Sequence, residues 1–168
     1  MDKTSLIIGN LCSLLAMGTD SISSTRKTTK GVLLVQCISQ LIYCTGTLVL
    51  KGYSGAVQNA VSILRNLVAI RKVESKFVEW FLVILGVVLG LVFNNLGVMG
   101  LLPVIANLQY TLAIFRFQDN ERALKISFLI AVGMFAIFNI AIYNIVGVIS
   151  NLVVLFTTAA VLFKTKKK

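Results

Sequence analysis

The polar residues with the clearest chemical potential lie together on one short apolar segment in the first half of the chain. Gln58, Ser62 and Arg65 recur at spacings of four and three residues, so they share one face of a helix. Asn66 extends that face, and Asn59 lies beside it. Amides, hydroxyls and guanidinium groups recognise a bound molecule by hydrogen bonding. The segment therefore predicts a binding site.

Arg65 is the one basic residue inside an apolar run. Inserting an arginine at the centre of a membrane helix costs about 2.5 to 3.5 kcal/mol, so it requires compensation. Two interpretations stay open: Arg65 is a polar anchor or the partner of an anionic group on a solute, or its side chain extends to the aqueous surface near Arg71. Asp20 is the acid placed to reach it, since we expect no acid in the interior of an apolar run.

Four further apolar runs carry polar stripes, and each stripe alone also fits an interhelical hydrogen bond. Together they predict a polar cavity. The stripes consist of Gln36, Gln40 and Tyr43; Asn107, Tyr110 and Thr111; Asn139 and Tyr143; and Asn151 and Thr158. We predict that the residues that bind solute are Asn59, Asn151, Gln58, Ser62, Arg65, Gln40, Asn107 and Asn139. Pro103 breaks one backbone hydrogen bond and predicts a hinge.

The composition places these stripes in a membrane. Of 168 residues, 57% are apolar and 13% are charged, against about one quarter charged in soluble domains. The chain has no His, no carboxylate pair at the end of an apolar run and no glycine-rich phosphate loop, so we expect no enzyme, no metal site and no cofactor.

Seven apolar runs separated by polar segments predict an all-α membrane protein with seven transmembrane helices. At about 1.5 Å per residue, runs of this length approach or match a hydrocarbon layer roughly 30 Å thick. The first run is the shortest, and its alternative interpretation is a signal peptide. The predicted spans are 5–18, 31–50, 55–70, 77–93, 97–115, 126–143 and 145–163.

The net charge of +10 would suggest nucleic acid as a partner of a soluble protein, but its placement indicates membrane orientation. The polar segments after spans one, three and five and the carboxyl-terminal tail hold 3, 3, 3 and 4 basic residues, and the opposite side holds only Lys3 and Lys51. The positive-inside rule then predicts an outer amino terminus and a cytoplasmic carboxyl terminus. The expected partners are the bilayer and a small solute, with no nucleic acid.

The order of loops predicts two parallel three-helix bundles joined by a linker helix. Gly55 and Asn59 recur as Gly147 and Asn151, 92 residues later. The span between the two units is needed because each unit has an odd number of helices. The predicted organisation is a first three-helix unit at 1–75, a linker helix at 76–96, and a second three-helix unit with a basic cytoplasmic tail at 97–168.

This three-plus-one-plus-three order resembles that of SWEET-type transporters, and short stretches resemble the YgjV-type family of bacterial inner membrane proteins. Those stretches are GYSGA at 52–56, SILRNL at 62–67 and LLPVI at 101–105. The second resemblance implies location and topology. The SWEET resemblance implies a central pocket with an Asn on the third helix of each unit, here Asn59 and Asn151. The chain differs from SWEET-type proteins in its number of prolines, because their helices contain several and this chain has only Pro103.

We therefore predict a transporter or facilitator of a small neutral polar solute, such as a sugar, nucleoside or vitamin-like molecule, working by alternating access. The expected lack of acids inside the spans favours downhill movement. The alternatives are a non-transporting inner-membrane interaction or structural protein, and a lipid-handling protein. Gly86 and Gly90 on span four would suit packing against a neighbour, a second copy of the chain included. A water-accessible centre would favour transport, and a close-packed centre the interaction protein.

Overall fold

The computed structural model describes residues 2–24, 29–71, 73, 75–117 and 120–165, and within these ranges every regular element is an α-helix. The prediction of an all-α chain with seven helices is confirmed for them. The helices are α1 (Lys3–Ser24), α2 (Thr29–Val49), α3 (Tyr53–Ile70), α4 (Lys76–Val92), α5 (Val98–Arg116), α6 (Glu121–Ala141) and α7 (Ile145–Thr165).

The observed helices differ from the predicted spans mainly at α1 and α6. Helix α1 continues through Asp20 to Ser24, and α6 begins before Arg122. The backbone hydrogen bonds of a helix continue past residues with polar side chains, whereas the predicted spans end at such residues. At the start of α1, hydrogen bonds from the Ser5 side chain and backbone lower the pKa of the Asp2 carboxyl.

Hydropathy taken alone supports fewer spans than the charge pattern does. Among the described helices, Val98–Arg116 and Arg122–Ala141 are long and apolar enough to cross a membrane, and two shorter apolar stretches, Leu33–Val49 and Ile145–Ala160, accompany them. Helix α4 is strongly apolar but has only 17 residues, and α1 and α3 carry more polar side chains, which lower their mean hydropathy. Length and apolarity therefore indicate two spans among the residues that the structure describes.

Six helices form a closed ring, and α4 packs outside it. Around the ring the neighbours are α1, α2, α3, α5, α6 and α7, and α7 returns to α1. Helix α4 packs against α3 and α5. The helices α1–α3 and α5–α7 therefore meet along two seams, one between α3 and α5 and the other between α1 and α7.

Helices α3 and α5 run in the same direction across the first seam. Ser54 near the start of α3 lies beside Gly100 near the start of α5. Further along both helices, Arg65 hydrogen-bonds to Thr111. From the first contact to the second, the residue numbers increase on both helices, so the two helices are parallel.

Helices α1 and α7 are also parallel. Asn10, in the first half of α1, accepts a hydrogen bond from the backbone of Val146, at the start of α7. The two three-helix groups therefore point the same way. We call the end with the α2–α3 and α6–α7 turns the turn end. The other is the basic end, and its exposed basic side chains are Lys30, Arg71, Lys76, Arg116 and Arg122.

The two tight turns at the turn end have the same structure 92 residues apart. Lys51 and Tyr143 both adopt left-handed backbone, with φ of 58° and 57°. After each, the backbone N–H donates to a carbonyl five residues earlier, from Gly52 to Thr47 and from Asn144 to Asn139, at 2.9 Å in both cases. The offset equals the one that relates Asn59 to Asn151 in the sequence.

Apolar side chains close the ring at the turn end. Phe138 is only 1% exposed and packs with Leu50 and Ile142. A side chain at Gly52 or Gly55 would collide with the Phe138 ring, so the close approach of α6 to the α2–α3 turn requires glycine there. This end is sealed in the structure.

The burial pattern is reversed relative to a soluble domain. Phe77 and Phe156 are 79% and 74% exposed, whereas Gln58 and Asn144 are 1% exposed. Among the described residues, polar and charged side chains are as common in the buried set as apolar ones. Soluble proteins bury large apolar side chains and rarely expose extensive apolar patches. An apolar exterior around a polar interior is the arrangement that a bilayer stabilises.

Candidate functional site

Gly86 and Gly90 form one face of α4, and this face contacts Gln58, a predicted site residue of α3. Gln58 Nε2 on α3 donates a 2.7 Å hydrogen bond to the carbonyl oxygen of Gly86. One turn later, a Cβ on Gly90 would lie 2.5 Å from Gln58 Nε2 and from a methyl group of Val104. The absence of side chains at these two positions lets the α4 backbone accept the Gln58 amide directly.

Asn107 on α5 connects three predicted site residues of α3. Its Oδ1 accepts hydrogen bonds from Arg65 Nη1 at 2.8 Å and from Ser62 Oγ at 3.3 Å. Its Nδ2 donates to Gln58 Oε1 at 2.8 Å. These four residues and Thr111 form what we call the Arg65 cluster, which lies across the seam between α3 and α5.

The guanidinium of Arg65 lies inside the bundle and does not extend to the basic end. Arg65 is 7% exposed, and its Nη1 lies 3.4 Å from Thr111 Oγ1. The guanidinium carbon is 5.1 Å from the centre of the Tyr110 ring, close enough for a cation–π contact. Arg65 Nε is buried and has no hydrogen-bond partner among the described residues.

Asp20 does not pair with Arg65 within the described ranges. Its carboxylate accepts a hydrogen bond from Ser39 Oγ of α2, and Ser39 is fully buried. Gly9 of α1 packs against Leu50 at the turn end. Asp20 follows eleven residues later, so it lies roughly 16 Å further along α1 from the turn end. A carboxylate therefore lies inside the bundle, where the sequence analysis expected none, and the argument for downhill transport loses its basis.

A second polar group lies between α2 and α7. Tyr43 Oη approaches Ser150 Oγ at 3.5 Å. Gln40 is one helical turn from Tyr43, and Asn151 follows Ser150. Gln40 Oε1 and Asn151 Nδ2 are buried without a hydrogen-bond partner in the described part of the chain. We call these four residues the α2–α7 site.

Asn59 and Asn151 lie on helices that are not neighbours, because α3 and α7 occupy opposite positions in the six-helix ring. Helix α3 packs against α2, α4 and α5, whereas α7 packs against α6 and α1. Asn59 is half-buried, and no hydrogen bond of its side chain is recorded among the described residues. Asn139 lies at the turn end, where its Oδ1 accepts from Asn144 Nδ2 at 3.1 Å. It belongs to the α6–α7 turn.

Pro103 and the adjoining cleft show how tightly this part of the bundle is packed. Pro103 is fully buried within α5, and the helix continues on both sides of it. The cleft between α3, α4 and α5 has no space for a water molecule. The residues that line it include Gln58, Gly86, Val104, Asn107 and Thr111.

Ser150 is the site residue that the sequence analysis did not select. A single serine among apolar residues gives no periodic signal, and such serines commonly bond to their own helix. The 92-residue offset could have found it, because Ser150 is the counterpart of Gln58 in the second unit. Thr111 and Tyr110 were recognised as part of a polar stripe but were not chosen as binding residues.

One comparison with known proteins identifies a family. The family model Imp-YgjV, described as a bacterial inner membrane protein, matches residues 7–168. No curated protein and no solved structure was found to match the chain.

Proposed function

Because the chain belongs to the Imp-YgjV family of bacterial inner membrane proteins, we propose that its seven helices all cross that membrane and carry a small polar solute. The solute passes between α1–α3 and α5–α7 by alternating access. The basic end faces the cytoplasm and the turn end faces outward, as the positive-inside rule requires. The SWEET-like division into two parallel three-helix units is part of this proposal.

The observation that carries the proposal is the pair of unpartnered amide atoms in the α2–α7 site. Gln40 Oε1 is an acceptor and Asn151 Nδ2 is a donor, and both are buried without a partner among the described residues. Buried polar groups are nearly always paired, and an unpaired one in a membrane costs several kcal/mol. A donor and an acceptor on opposing helices fit a hydroxyl or similar uncharged group of a solute.

Alternating access requires the two helix groups to separate at one end while they stay closed at the other. Phe138, Leu50 and Ile142 seal the turn end. The two groups contact each other along the α3–α5 and α1–α7 seams. Relative motion at two seams is a simpler change than repacking within either group.

Replacing Gln40 and Asn151 by leucine tests the proposal, because each change removes an amide that has no bond to lose within the described chain. We expect uptake of the transported solute into proteoliposomes to fall at least roughly tenfold. Thermal stability should be unchanged or higher, since an apolar group replaces an unpaired polar one. The screen would use labelled sugars, polyols, nucleosides, amino acids and hydroxy acids.

Gln109→Leu is the matched control, because the Gln109 amide is paired. Gln109 hydrogen-bonds to the Ser127 backbone at 2.9 Å and to its hydroxyl at 2.7 Å. This variant should lose stability and retain specific transport activity. If no solute in the screen enters liposomes, or if the Gln40 and Asn151 variants transport as well as the wild type, the proposal is wrong.

A non-transporting interaction protein is the second candidate, and two observations favour it. The cleft beside the Arg65 cluster excludes water, as a packing centre would. Helix α4 also presents an exposed apolar face that includes Phe77, Phe81 and Ile84. This candidate predicts that no solute in the screen enters the liposomes.

A further inference from the structure

The positive charge of Arg65 has no counter-charge among the residues that the structure describes. Of the three acids whose side chains are described, Asp2 bonds to Ser5 and Asp20 to Ser39. Glu79 lies 3.5 Å from Arg116 near the basic end. The Arg65 guanidinium instead contacts neutral amide, hydroxyl and ring groups. A buried guanidinium in this setting keeps its full charge and lacks the ion that would offset it.

The free side of the guanidinium has the geometry of an anion site. Asn107 and Thr111 both contact Nη1, and Nε carries a buried N–H with no described partner. Arginine binds carboxylates through two parallel N–H donors of its planar fork. The neutral partners hold the guanidinium in place by one nitrogen and leave another donor for a ligand.

The internal repeat indicates that helix packing does not require this charge. The 92-residue offset places Thr157 at the position of Arg65. Thr157 Oγ1 donates to backbone carbonyls of its own helix, with Val153 at 2.9 Å. The second unit therefore builds its third helix without a cation. Arg65 is specific to the first unit, as expected of a residue kept for a ligand.

We propose that Arg65 binds the carboxylate of the transported solute, so that the solute carries one negative charge and is not neutral. This inference rests on the proposed transport function and names the substrate class. The cleft beside the cluster excludes water in this structure, so the solute reaches Arg65 when α4 or the α3–α5 seam moves. One guanidinium without a counter-ion matches one monoanionic group.

Ligand-induced stabilisation of the purified full-length protein in neutral-lipid nanodiscs tests the inference without requiring transport. Acetate and its uncharged analogue acetamide are the probes, with inorganic phosphate as a third arm and ionic strength held constant. At about ten times its Kd, acetate should raise the wild-type Tm by roughly 3 to 6 °C. Acetamide should have no effect. A larger shift with phosphate than with acetate would overturn the carboxylate assignment.

Three variants assign the effect to Arg65. Arg65→Gln should abolish the acetate shift, and Arg71→Gln, which removes an exposed arginine of the basic end, should retain it. Thr111→Asp places a carboxylate beside the guanidinium and should also abolish the shift. Thr111→Asp tests the inference even if Arg65→Gln fails to fold.

The outcomes separate this inference from the proposed function. An acetate shift that persists in Thr111→Asp, or no acetate shift in the wild type, overturns the anion site even if neutral solutes are transported. An acetate shift that depends on Arg65, in a protein that transports nothing, supports the anion site and contradicts the transport function.

Discussion

Gly90→Ala is expected to destabilise the protein by about 2 to 3 kcal/mol. The new methyl group would lie 2.5 Å from both Gln58 Nε2 and a Val104 methyl group. Gln58 cannot give way, because its amide is held by the Gly86 carbonyl and by Asn107. Overpacking of this kind costs about 1 to 3 kcal/mol, and loss of a buried hydrogen bond adds about 1 kcal/mol. The helix propensity gained from alanine offsets part of this.

The comparison with Gly133→Ala makes the measurement specific. A Cβ on Gly133 of α6 would meet nothing within 4 Å, so this substitution should be neutral or stabilise by up to about 1 kcal/mol. Thermal unfolding in the same detergent should separate the two variants by roughly 5 °C or more. Equal melting temperatures would contradict the observed packing of α4 against α3 and α5.

Asn107→Leu is expected to cost about 3 kcal/mol, because it removes the acceptor that holds the buried charge of Arg65. The 2.8 Å bond to Arg65 Nη1 disappears, as do the bonds to Ser62 and Gln58. Hydrogen bonds to charged groups contribute about 1.5 to 3 kcal/mol, and a charge left unpaired adds to the loss.

The double variant Arg65→Met with Asn107→Leu should recover most of that stability. Removing both partners of a buried polar interaction costs less than removing one. A double-mutant cycle of unfolding free energies would therefore give a coupling of at least about 1.5 kcal/mol. A double variant whose stability loss is the sum of the two single losses would show that the two residues act independently.

The helices of this fold follow directly from the amino-acid sequence, because charged segments or short segments with asparagine or glycine separate the apolar runs. The predicted spans miss the end of α1 and the start of α6, where Asp20 and Arg122 lie within helices. A polar side chain does not end a helix when the backbone bonds continue. The same error placed Asp20 outside the first predicted span, so the sequence analysis counted no carboxylate within the spans.

The Arg65 cluster was predictable in part. Periodicity identified Gln58, Ser62 and Arg65 as one face of α3, and the structure joins all three through Asn107. Which helix supplies the partner was not predictable, because the α3–α5 seam depends on packing between units. For the same reason, the sequence did not show that Arg65 contacts amide and hydroxyl groups of α5 and not the carboxylate of Asp20.

The prediction that Asn59 and Asn151 both bind solute rests on the repeat, which places them at equivalent positions after two matching turns. Their helices, α3 and α7, lie opposite each other in the six-helix ring, because α3 contacts α2 and α5 whereas α7 contacts α1 and α6. A shared role of these two residues stays a prediction. Gln58 and Asn59, adjacent in sequence, point about 100° apart on α3, and Gln58 is the residue that enters the cluster.

Thiol labelling of Asn151→Cys, in a chain whose Cys12, Cys37 and Cys44 are replaced by alanine, tests the central claim that the α2–α7 site is a solute site reached by alternating access. The account predicts that a membrane-impermeant reagent modifies this cysteine from the basic end, because the turn end is sealed, and that transported solute slows the reaction. Phe156→Cys, at a position 74% exposed on the apolar exterior, should not react. Two results would contradict the account. In one, the Asn151→Cys protein does not react from either side, and in the other, the transported solute leaves the labelling rate unchanged.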